Sequence, residues 1–99
     1  MFIIEELKNI DRTYFNVIHT GCFCVTLQSK NTKHCWHILH QQYPTFTSCK
    51  IWHKHKQSDP FHVQGNASTL GQALDKIQEH DYYHLYVRSA KKKKGRMSA

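Results

Sequence analysis

The sequence predicts an α+β domain: a small antiparallel sheet of about four to five strands, with one main helix (about Thr69 to His80) packed on one face. Three observations lead there. Cys22 to Gln28 and Lys33 to Gln41 alternate apolar and polar residues on either side of the turn Ser29-Lys30-Asn31-Thr32, the pattern of a β-hairpin. Thr69 stands as an N-cap with Gln72 three residues on to complete a capping box, and Leu70, Ala73, Leu74 and Ile77 then form one apolar stripe. Finally, 99 residues with 39% hydrophobic and 12% aromatic content suit one folded domain.

The elements follow in order. Phe2 to Ile10 reads as a short helix or an edge strand, since Ile3, Leu7 and Ile10 share a helical face. Thr13 to His19 is rich in aromatic and β-branched residues and reads as a strand. In the hairpin, Phe23, Val25 and Leu27 share one face and Cys22, Cys24 and Thr26 the other. Tyr43-Pro44-Thr45 breaks the pattern, Cys49 to Gln57 is a third alternating strand, and Ser58-Asp59-Pro60 is a turn. Phe61 to Gln64 reads as a short return strand, the helix should stop near His80-Asp81, and Tyr83 to Arg88 reads as a last strand. Residues 1–90 are thus expected to form a single domain, and 91–99 a disordered basic tail.

Charge is segregated. The formal net charge is +7, of which the run Lys91-Lys92-Lys93-Lys94-Gly95-Arg96 supplies +5. From Arg12 to Ser58 there is no Asp or Glu, while the same stretch holds Arg12, Lys30, Lys33, Lys50, Lys54, Lys56, six of the nine histidines and both tryptophans. Such a surface has a polyanion as its physical partner. Strand geometry puts Lys50, Trp52, Lys54 and Lys56 on one face and Cys49, Ile51, His53 and His55 on the other. Three unpaired ammonium groups cannot be core, so the lysine face should be exposed with Trp52 among cations. There the ring would stack a base and the lysines neutralise phosphates. Lys30 and Lys33 on the hairpin turn, and Lys91, Lys92, Lys93, Lys94 and Arg96 as an electrostatic arm, complete the expected nucleic-acid surface. The structural counter-reading is a merely solvated face, with Trp52 lying under lysine stems.

The histidines and cysteines admit other chemistry. Cys22-x-Cys24 and His53-x-His55 would make a tetrahedral zinc site if their faces met. The alternative is that Cys22, Cys24 and Cys49 are small buried hydrophobes. His34, His37 and His40 follow a period of three; on a strand His34 and His40 face one way and His37 the other. His53, His55 or His62 could serve a metal-independent nuclease as acid or base, with Lys54 or Arg88 steadying the transition state. His53-Lys54-His55 also resembles the His-hydrophobic-His strand of the HUH nucleases, with Lys54 in place of the apolar residue. That resemblance implies two metal-binding histidines and an attacking tyrosine, for which Tyr82, Tyr83 and Tyr86 lie downstream.

The expected function is therefore nucleic-acid binding, DNA or RNA, with low sequence specificity, no catalytic activity of its own and no cofactor. Zinc or another divalent metal is the exception to test. The alternatives are an inhibitor or adaptor of phage or mobile-element type that docks on an acidic protein surface through Trp36 or Tyr43, and a small nuclease. The apolar N-terminal run is short and followed by acids, no segment approaches a membrane span, and four reduced cysteines suit a cytoplasmic setting, the host's if the chain is viral. An exposed edge among Thr13 to Gln28 would support a homodimer by strand addition.

Overall fold

Alternation decides the sheet. The computed structural model describes residues 1–88, and in it five strands pair in sequence order β1-β2-β3-β4-β5, every pairing antiparallel. They are β1 (Phe15–Thr20), β2 (Cys24–Ser29), β3 (Cys35–Gln42), β4 (Thr47–Lys54) and β5 (His62–Ala67). The predicted hairpin is present: Val25 faces Ile38 and Leu27 faces Trp36. Lys33 closes its turn in the left-handed region (φ 66°), with its N–H donating to Ser29 O at 2.9 Å. The fold class is as the sequence predicts.

One face of the sheet is covered. Phe15, Val25, Leu27, Trp36, Ile38, Cys49 and Ile51 are buried there, under α1 (Ile4–Lys8) and α2 (Leu70–Tyr82). Phe2 and Ile10 flank α1 and join this core, which resolves the N-terminal ambiguity in favour of a helix. Leu70, Ala73 and Ile77 supply the inner stripe of α2. Gln72 N–H donates to Thr69 Oγ1 at 3.1 Å, as a capping box requires, but the return bond runs from Ser68 N–H to Gln72 Oε1, one residue earlier than expected.

Tyr83–Arg88 is not a strand. It continues α2 as a π-helical turn. Its aromatic residues have strand propensity, but Tyr82 and Tyr86 meet one turn apart (ring centroids 4.9 Å) and His84 packs on His34 (4.7 Å), so tertiary contact overrides propensity. The strand margins also moved: β4 ends at Lys54, which leaves Lys56 in an exposed turn with its N–H on Asp59 Oδ2 (3.3 Å). Among the described residues no helix is long and apolar enough to cross a membrane. The basic run 91–96 lies outside the described residues.

Candidate functional site

The uncovered face of the sheet carries the basic and aromatic residues. None of the five strands contains an Asp or Glu. On the uncovered face, Trp52 stands opposite His37 on β3 and Val63 on β5. Lys50 Nζ lies 5.0 Å from the Trp52 ring centroid, and Lys54 Nζ lies 4.5 Å from that of Phe61. His37 bonds Thr26 Oγ1 at 2.9 Å across β2–β3. Burial, then the neighbouring His19, hold its imidazole below the ordinary range, so His37 itself adds little charge to this face at neutral pH.

Of the predicted nucleic-acid residues, Lys50, Trp52 and Lys54 thus share one face. Lys56 lies beyond the strand. Lys30 and Lys33 sit on the β2–β3 turn, at the end of the sheet where Cys35 pairs with Lys54. Lys30 is tied there by Nζ to Arg12 O at 2.7 Å. Lys91, Lys92, Lys93, Lys94 and Arg96 lie outside the described residues. Trp36, suggested by the sequence as a protein contact, is fully buried, whereas Tyr43 is exposed and stacks on Phe46.

The covered face holds a second constellation, which the sequence reading divided among unrelated motifs. His34, just before β3, and His53, in β4, are buried and joined by a 3.0 Å contact between His34 Nδ1 and His53 Nε2. One ring nitrogen of each, with one from His80 on α2, lie within 4.8 Å of one another. His53 stacks on Trp36 at 4.1 Å, and His55 stacks on His34 at 4.2 Å. His62 meets His53 edge-on at 5.2 Å. Burial, reinforced by the surrounding imidazoles, drives His34 and His53 well below the usual histidine range, so both are neutral at pH 7. Among the described residues His53 Nδ1, which is buried, has no hydrogen-bond partner, a cost of about 1–3 kcal/mol.

The three histidines named from sequence as acid–base candidates, His53, His55 and His62, do converge. Cys22 and Cys24 do not join them: Cys24 pairs with Leu39, three registers from Trp36 where His53 pairs, and on the other face. Cys22 is exposed, and Cys35 and Cys49 are the buried cysteines. Tyr82, Tyr83 and Tyr86 are exposed. His34 and His80 were missed as partners because they meet only through the fold. The signal existed in part: His34 shares its parity with the buried Trp36 and Ile38, and His80 extends the stripe Leu70, Ala73, Ile77.

A buried aspartate anchors this end of α2. Asp81 accepts from Ser29 Oγ (2.6 Å), Tyr14 Oη (2.7 Å) and Thr32 Oγ1 (3.0 Å), and Ser29 Oγ accepts in turn from Trp36 Nε1 (3.1 Å). Burial and the bond to Asp81 push the Tyr14 phenol up to about 12, from an ordinary 10.0. The neutral phenol is therefore favoured by folding. Its stabilisation is complete below pH 10 and is lost as the pH rises from 10 towards 12. Urea denaturation at pH 8, 10 and 11 should show Tyr14→Phe less stable than wild type at pH 8, with the gap narrowing at pH 11. A constant gap would mean that the phenol is not shifted.

No protein-family model matches this chain, and neither a curated protein nor a solved structure does.

Proposed function

We propose that the protein binds nucleic acid, DNA or RNA, through the uncovered face of its sheet, single strands in preference to duplex, with low sequence specificity and no catalysis at that face. The supporting observation is an acid-free sheet whose open side sets Trp52 between Lys50 and Lys54. With no carboxylate in any strand, an approaching phosphate backbone meets no repulsion from the sheet. Lysines offer point charges rather than the bidentate fork that reads guanine, so affinity should depend on charge and stacking more than on base identity.

Lys50 now covers Trp52, as a solvated face would also allow. The magnitudes favour displacement by a base. An exposed cation–π contact is worth about 0.5–1 kcal/mol, and stacking a base on an aromatic ring about 1–3 kcal/mol. The released ammonium then becomes available to a phosphate.

Fluorescence anisotropy of labelled oligonucleotides across a salt series tests this. Lys50→Ala with Lys54→Ala should lower the slope of log K against log salt by about 1.4 for single strands, about 0.7 for each phosphate that is no longer neutralised. An unchanged slope would assign the binding to other cations. Binding that persists undiminished at high salt would instead indicate a protein partner.

A further inference from the structure

We propose that His34, His53 and His80 form a binding site for one divalent transition-metal ion of the zinc class, with a fourth coordination position left for solvent or substrate. This site lies on the covered face of the sheet, opposite the proposed nucleic-acid surface, and stands independently of it.

Three features support the assignment. The donors converge: His34 Nδ1 and His53 Nε2 are 3.0 Å apart, and all three donor atoms fall within 4.8 Å of one another. Tetrahedral coordination with zinc–nitrogen bonds of about 2.0–2.1 Å sets nitrogens about 3.3 Å apart, so the rings need only small rotations to close on an ion. The donor set is also selective. Three imidazoles without a carboxylate suit zinc, cobalt, nickel or copper and reject magnesium and calcium, which require oxygen ligands. Finally, a cleft reaches one of the three ligands, His80. His80 and Trp36 line this cleft of about 170 Å³ between β4, β5 and α2, bounded also by Ile51, Asn66 and Lys76.

Two neighbouring neutral imidazoles can share one proton, which accounts for the His34–His53 contact. That pair lies beside a third ring nitrogen, from His80, with all three donors within 4.8 Å of one another. Among the described residues no fourth donor joins the three within the same reach. His55 lies parallel to His34 (interplanar 8°), so its in-plane nitrogens do not point where those of His34 point.

The test uses the full-length, tag-free protein after chelator treatment. Zinc is titrated while the nine imidazoles are followed by long-range proton–nitrogen correlation NMR, and cobalt(II) is titrated in parallel by visible absorption. One equivalent of zinc should shift His34, His53 and His80, and cobalt should give the intense absorption of a tetrahedral site. His80→Gln should weaken zinc at least tenfold, and His37→Ala, on the opposite face, should not. Because the NMR readout needs no variant, a misfolded His80→Gln protein would leave the result intact. Shifts confined to exposed His55 and His62, absence of any saturable shift, or equal weakening by both variants would overturn the assignment.

Discussion

Asp81→Ala should destabilise the domain by about 3–5 kcal/mol and lower its melting temperature by on the order of 15–25 °C. The carboxylate is fully buried and accepts three hydroxyl bonds, from residues 49, 52 and 67 positions away in sequence. Removing it leaves those hydroxyls without their acceptor, and Ser29 is itself fully buried. It also loosens the link through Ser29 to the Trp36 indole, on which His53 stacks. A small domain has about 5–15 kcal/mol to lose, so this variant should be marginally folded at 37 °C. Asp81→Asn keeps the shape and one acceptor oxygen and should cost less. Thermal and urea unfolding followed by circular dichroism would measure both. A loss under about 1 kcal/mol for alanine would show that water replaces the carboxylate readily.

Trp52→Ala should weaken single-strand binding by roughly 5- to 150-fold, the equivalent of about 1–3 kcal/mol for one stacked base. Duplex binding should fall much less, since bases in a duplex already stack on one another. Trp52 is half-buried on an uncovered face, so its loss should leave the core and the circular dichroism spectrum intact. Equal losses on single strands and duplex would remove stacking from the mechanism. A salt slope unchanged by Trp52→Ala, beside a reduced slope for the lysine variants, would separate the ring's contribution from charge.

Much of this fold is legible in the chain because its contacts are local. The alternation of Val25, Thr26 and Leu27 gives the face of β2, and Lys50, Ile51, Trp52 and His53 give both faces of β4. The capped stripe from Thr69 to Ile77 gives α2. Tyr83 to Arg88 is misread because its β-branched and aromatic residues have strand propensity, while the contact that holds them helical comes from residues about fifty positions earlier. The imidazole site is hidden for the same reason. His34, His53 and His80 share no motif spacing, and one of them comes from a helix that meets the sheet only in the folded state. Parity and stripe identify each as inward-facing, but nothing local says that they face one another.

The order of the strands has a consequence for synthesis on the ribosome. Each strand pairs with the one made just before it, so the sheet can assemble progressively as it emerges. Its apolar side, including Val25, Leu27, Ile38 and Ile51, is then complete when α1 has been made but α2, the longer of its two covering helices, has not. Between Ala67 at the end of β5 and Tyr82 at the end of α2, 15 more residues must be added. At about 5–20 residues per second, that exposes the nascent apolar surface for about 1–3 s. Chaperones that recognise bare hydrophobic surface have their opportunity in that interval, and the arrival of Asp81 at its three hydroxyls ends it.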